Sequence, residues 1–382
     1  MLPPPRIAEL REKQPALVRM YDGTPAALVL DYDDVTTIMM SPDVSDDGRA
    51  AGFPYVSEAA RHNRGKRPTI DRLDPPEHDI QRAMLAPFFT VKRIKQMRPF
   101  FEELVDSLLD ELEEAGPTVD LVTQFARHIP AAGTAELMGL PSEDIPRFLE
   151  LSETYQSFGS AEEIAAAGAE IAEYFERRLA EPADGDDFIS MLIREQVRPG
   201  HLAPDQFVRT MILILTGGFD TTANTIALGV VAMMDHREAW EALANDADDE
   251  LIAAAVEEIV RYTSTAHHAV FRLTTAPVQL STAELPADHA VIASQMAANH
   301  DPKKFECPHL LDIERDARTH VGFGMGIHQC LGQHMARLAL QVTFSKLTKR
   351  FPRLELAVKP EELTPRIGLV HGLMGLPVRL TP

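Results

Sequence analysis

The sequence predicts a mainly α-helical fold with a small β region, in one domain. Three observations carry that reading. Residues 75–236 place apolar side chains at helical spacing, interrupted by turn signals such as Gly116-Pro117, Pro141-Ser142 and Pro182-Ala183-Asp184-Gly185. Short alternating or β-branched segments are confined to residues 20–60, 270–295 and 355–382. No polar linker divides the 382 residues, of which 45% are hydrophobic, enough for a large core.

Each element has a local reason. Ala26 to Leu30 is a short apolar run that reads as a strand. Pro99 to Glu114 and Ala161 to Leu179 carry helical spacing, the latter rich in Ala and Glu. Pro204 to His236 reads as one helix about 50 Å long. Its centre is apolar on nearly every face, through Met211 to Leu215 and Ile226 to Leu228, so it crosses an interior. Val270 to Ile292 reads as a small sheet, and a helix runs from just after Cys330 to about Phe351.

Composition excludes several classes. Acidic residues outnumber basic ones 58 to 37, a net charge of -21, which is the wrong balance for nonspecific nucleic-acid binding. Two cysteines, Cys307 and Cys330, exclude a disulfide framework and a four-cysteine iron–sulfur cluster. The start, MLPPPRIAELREKQP, has no apolar signal core, and no long uninterrupted apolar run is evident. A cytoplasmic protein without a membrane span is expected.

The long helix contains an anomaly. At its middle stands Thr216-Gly217-Gly218-Phe219-Asp220-Thr221-Thr222. Two mid-helix glycines cost about 1 kcal/mol each against alanine, and a buried Asp needs a partner. One reading is a kink beside a solvent pocket. The other is a flat ligand lying against the glycines, with Asp220 and Thr221 supplying polar chemistry.

A second anomaly surrounds Cys330. Val321 to Gly332 reads V-G-F-G-M-G-I-H-Q-C-L-G, with a helix following at once. The glycines permit an unusual backbone path, and a cysteine at a helix start is biased toward thiolate. Three readings compete: a buried structural cysteine, a zinc site using His320, His328, Cys330 and His334, and a haem thiolate. Scattered histidines around one cysteine fit no common zinc spacing.

The string Phe323-Gly324-x-Gly326-x-His328-x-Cys330-x-Gly332 resembles the haem-binding loop of the cytochrome P-450 family at every fixed position. The resemblance extends from about residue 20 to 380. Glu258-Ile259-Val260-Arg261 matches the family's Glu-x-x-Arg unit, which forms a buried ion-pair network supporting the cysteine loop. Asp74-Pro75-Pro76-Glu77-His78 looks like the start of the haem-contacting helix, with Asp74 as its cap. Asn299-His300-Asp301-Pro302, Phe305 and Pro308 resemble the stretch before the cysteine loop, and His371-Gly372-Leu373 resembles the closing strands.

The resemblance implies a triangular, helix-rich domain whose long helix crosses over haem b. It implies that Cys330 ligates the iron, with Phe323 and Gly324 in the loop beneath the ring. His78, Arg82, Arg272 and His328 would hold the propionates. Asp220 and Thr221 match the acid–alcohol pair that serves oxygen activation, and Gly217 and Gly218 would leave room for oxygen. Leu213, Thr216, Gly217, His268, Val270 and Leu369 would line the substrate pocket, with Thr216 and His268 as polar points.

The implied activity is oxygen insertion into a small organic substrate. Electrons must come from outside, from a ferredoxin and its reductase, and Lys92, Arg93, Lys95 and Arg98 form a candidate dock. The alternative is NADH-dependent nitric-oxide reduction, because part of the chain also looks similar to the fungal nitric-oxide reductase branch. There Arg61, Arg64, Lys66 and Arg67 would meet the dinucleotide; Asp220 stands where that branch lacks an acid. A haem sensor without turnover would leave the Asp220-Thr221 pair idle.

Overall fold

The computed structural model describes residues 3–58, 60–61, 68–157, 159–245, 247–266, 270–366 and 370–381. Expectations for Arg64, Lys66, Arg67, His268 and Leu369 lie outside the described residues. The chain forms two compact units. The first gathers Met1–Ala83, Val260–Leu311 and Asp316–Leu331; the second gathers Met84–Ile259, Asp312–Arg315 and Gly332–Pro382.

The first unit is built on a five-stranded sheet, ordered Ala16–Arg19, Pro25–Val29, Ala290–Ala293, Phe271–Thr274, Val44–Ser45. Pro25–Val29 runs parallel to Ala290–Ala293, Ala26 opposite Ala290, and the other pairs are antiparallel. The expected strands near 26–30 and 270–292 are therefore present. Pro25–Val29 and Ala290–Ala293 are apolar and lie inside the sheet, flanked on both edges; Phe271–Thr274 is also interior and buried, but carries Arg272 and Thr274. Helix Tyr32–Met40 turns Tyr32, Val35, Ile38 and Met39 into a core shared with Val29, Val291 and Val321.

The second unit centres on helix Pro204–Asp235, 32 residues or about 48 Å. It ends one residue earlier than expected because His236 leaves the helical region, at φ -128° and ψ 67°. By length and hydropathy it could cross a bilayer, yet 61% of its most apolar window is buried in protein. It packs against helices His128–Met138, Ile145–Tyr155, Ala161–Ala180 and Gln333–Arg350. Ala161–Ala180 opens on a capping box in which Ser160 and Glu163 satisfy each other's backbone N–H groups.

Two glycine-rich expectations separate here. A Cβ on Gly218 would lie 2.6 Å from Thr134 Oγ1, whereas one on Gly217 would meet nothing within 4 Å among the described residues. Gly218 is therefore a packing residue that lets helix His128–Met138 approach, and only Gly217 leaves space. The helix continues through both, without a break. Among the described residues, the last 30 hold the short strands Glu355–Leu356, Pro365–Arg366, Gly372–Leu373 and Pro377–Arg379.

Candidate active site

The cysteine loop belongs to the first unit. Gly324 and Gly326 take φ +69° and +76°, and a Cβ on Gly326 would strike Met39 O at 2.7 Å. These glycines turn the chain so that Cys330 N–H donates to Phe323 O at 2.8 Å and Gln329 N–H to Gly326 O at 3.1 Å. Cys330 is exposed, not buried as a structural cysteine would be. The helix Gln333–Arg350 begins three residues later.

The loop is braced at its base. Asn299 Oδ1 accepts from Val321 N–H at 2.8 Å, and Gln295 Nε2 donates to Val321 O at 2.6 Å. Asn299 Nδ2 donates to Ser264 Oγ at 2.9 Å. Arg261 closes the chain of contacts. Fully buried, it donates to Asn299 O at 2.7 Å, Pro308 O at 3.0 Å and Leu310 O at 3.2 Å. Glu258 is equally buried in the second unit and accepts from Asp312 N–H at 3.0 Å and Arg315 Nε at 3.3 Å. Both residues of the Glu-x-x-Arg unit thus anchor backbone.

Basic side chains cluster beside the loop. The His78 and His328 rings stand 4.5 Å apart, and Arg272 NH1 lies 2.7 Å from the carboxylate of Asp46. Arg72 NH1 meets the other Asp46 oxygen at 2.5 Å. Burial first, then the charges of Arg272 and His78, drive His328 down to about 3, so its ring is neutral. Burial pushes the Asp46 carboxyl up to about 6, with Arg72 and Arg272 opposing. Arg82 is lowered by burial and opposed by the charge of Cys330.

The expected cap at Asp74 needs correction. Its backbone carbonyl accepts from His78 N–H at 2.9 Å, but its carboxylate turns to Asp46 N–H and Ser45 Oγ instead. Asp46 and Arg72 were missed in the sequence. Ser45-Asp46-Asp47-Gly48 reads as an ordinary polar turn, and no spacing relates it to Arg272.

The donor set fits haem. His78 Nε2 is buried without a hydrogen-bond partner, and Arg82 makes no hydrogen bond or ion pair among the described residues. Two idle donors beside an exposed thiol suit a ring bearing two carboxylates and an iron. The zinc reading does not survive: among the described residues no group of three His, Cys, Asp or Glu side chains could hold a metal.

The second unit carries the acid–alcohol pair. Asp220 Oδ2 accepts from Gln156 Nε2 at 2.7 Å and from Arg366 NH2 at 2.9 Å. Gln156 also donates to Thr216 O at 2.7 Å, tying helix Ile145–Tyr155 and its cap to the glycine segment. Thr216, Thr221 and Thr225 all bond back to the carbonyl four residues earlier. Thr216 and Thr225 do so at 2.8 Å, Thr221 at 3.3 Å. Gln156 and Arg366 had no signal in the sequence, being 64 and 146 residues from Asp220.

The pocket residues divide. Leu213 is half-buried and Gly217 exposed on the long helix. Thr216 is buried and its hydroxyl proton goes to Ile212 O, so the expected polar point is turned into the helix. Val270 packs in the core of the first unit.

A family model described as Cytochrome P450 matches residues 144–372. The chain belongs to the cytochrome P450 family. This P450 is 36% identical to Vitamin D3 dihydroxylase of Streptomyces griseolus over 98% of its own length and 93% of that protein. It is 33% identical to Cytochrome P450 55A3 of Fusarium lichenicola, over 99% and 94%. The crystal structure of GfsF superposes with a TM-score of 0.93 at 31% identity, covering 99% of this chain and 96% of that one. The fold is that of a cytochrome P450, mainly helical with small sheets and a long central helix. The protein is a haem-dependent P450 monooxygenase of small organic molecules, served by an external redox partner.

Proposed function

We propose that this P450 is a soluble cytoplasmic hydroxylase in which Cys330 ligates haem iron and Asp220-Thr221 delivers protons. When bound, haem supplies dioxygen activation, one atom going to substrate and the other to water. The chain's own residues do the rest. His78, Arg82, Arg272 and His328 hold the propionates, and Phe323 and Gly324 shape the loop that presents the sulfur. Gln156 and Arg366 fix the Asp220 carboxylate by one oxygen, leaving the other for proton exchange.

The observation that carries the reading is the hydroxyl of Thr221. Its 3.3 Å bond is the slackest of the three threonine back-bonds, so this hydroxyl turns to another acceptor at least cost. The open space at Gly217, one turn earlier, gives that acceptor room. Thr221→Ala should keep cofactor oxidation while product yield per electron pair falls severalfold. Coupling equal to wild type would remove Thr221 from the mechanism.

Two further measurements bound the reading. The reduced carbon-monoxide complex should show the red-shifted thiolate Soret band, and Cys330→Ser should abolish it. NADH oxidation on adding nitric oxide, with no redox protein present, would replace hydroxylation with nitric-oxide reduction.

Electrons enter from a ferredoxin. Lys92 and Lys95, on helix Val91–Gln96, are exposed and have no partner among the described residues. Arg93 and Arg98 are less available: Arg93 lies over the Phe88 ring at 5.2 Å, and Arg98 stands 3.5 Å from Glu102. The dock narrows to the two lysines.

A further inference from the structure

The basic groups assigned to the haem carboxylates already have an anion among them. Asp46 is 2% exposed. Its Oδ1 accepts from Arg72 NH1 at 2.5 Å, and its Oδ2 lies 2.7 Å from Arg272 NH1 and 3.7 Å from His328 Nε2. It cannot easily swing away, because its backbone N–H is tied to Asp74 Oδ1 at 2.8 Å and the neighbouring Ser45 Oγ donates to Asp74 Oδ2.

We propose that Asp46 is an internal anion that competes with a haem propionate for Arg272, setting how tightly the cofactor is held and how readily it is reduced. The proposal rests on the reading that Arg272 and His328 receive a propionate. Arg272 is 6% exposed on the strand Phe271–Thr274, and its NH1 also serves Phe271 O at 2.9 Å. A propionate arriving there shares one guanidinium with a carboxylate held a few ångströms away. Like charges at that separation, away from water, repel strongly. The cofactor is therefore held more loosely than the cations alone would hold it. The extra negative charge also favours the oxidised metal.

The same anion has a purpose before haem arrives. Without it, Arg72 and Arg272 would be two buried cations facing each other, and the charge of Arg72 already opposes that of Arg272. Breaking a buried pair by removing one partner is strongly destabilising. Asp46 makes the empty cradle foldable and weakens the filled one. It is a positioning residue for the cofactor and touches no reacting atom.

The test uses the haem-loaded enzyme. Asp46→Asn should lose haem to excess apomyoglobin roughly tenfold more slowly, and its reduction midpoint should move to a more positive potential. Haem loss as fast as wild type or faster, or an unmoved potential, overturns the proposal. If that variant does not accumulate with haem, Asp46→Asn/Arg72→Met removes the buried pair together and is judged by the same haem-loss criterion. Arg272→Met separates the proposal from the reading beneath it. Unchanged haem loss in Arg272→Met sinks the propionate assignment and the proposal with it. Faster loss there, with no slowing in Asp46→Asn, sinks the competition alone.

Discussion

His300 shows what one buried ring does to stability. Its Nδ1 faces Met296 O at 3.0 Å, and its Nε2 is buried without a hydrogen-bond partner among the described residues. Burial and the charge of Arg261 hold it at about 4, below the 6.5 of an unfolded chain. Between those values the unfolded chain takes up a proton and the folded one does not. The neutral ring therefore costs nothing above pH 6.5, and stability is lost as pH falls toward 4, by at most about 1.4 kcal/mol per unit. Asp46 has the opposite sign, since a carboxyl raised by burial loses stability as pH rises through about 6. The measurement is thus a comparison: in urea unfolding, His300→Phe should gain less stability per pH unit from 4 to 6.5 than wild type. Equal slopes would remove His300 as the source. Arg261 is a larger matter. Arg261→Met removes a fully buried guanidinium from three backbone carbonyls, that of buried Asn299 among them, and should cost roughly 3–5 kcal/mol in the same assay.

At the scale of the element, the glycine pair of helix Pro204–Asp235 separates two reasons for the same residue. Gly218→Ala drives a methyl into Thr134 Oγ1 and should destabilise by about 1–3 kcal/mol. Gly217→Ala meets nothing among the described residues and should gain up to about 1 kcal/mol of helix propensity, while narrowing the space beside Thr221. Thermal unfolding of the two single variants reads the difference directly; shifts of the same sign would refute it. The sequence announced this helix, its length and its polar centre, because local spacing encodes all three. It also announced the cysteine loop, whose residues are contiguous. Asp46, Arg72, Gln156 and Arg366 were not legible, since each matters through a partner that only the fold brings near. Thr216 misled for a related reason: its side chain bonds to its own helix, a choice residue type does not reveal.

The whole molecule carries a net charge of -21, so exposed lysines without partners are conspicuous on it. If Lys92 and Lys95 receive an acidic ferredoxin, the second-order reduction rate should fall steeply with ionic strength. Lys92→Ala/Lys95→Ala should flatten that dependence and leave direct dithionite reduction unchanged. A salt dependence identical to wild type would place the dock elsewhere. Chain order adds a constraint of its own. The first unit begins with residues up to Ala83 but is completed only by Val260–Leu311 and Asp316–Leu331. During synthesis at about 5–20 residues per second, residues 84–259 intervene for on the order of 10–35 s. For at least that interval Met39, His78 and Asp46 wait for Gly326, His328 and Arg272, which the ribosome has yet to make. Haem capture is therefore a late event in the life of the nascent chain, and the apolar strand Pro25–Val29 needs shelter until Ala290–Ala293 emerges to pair with it.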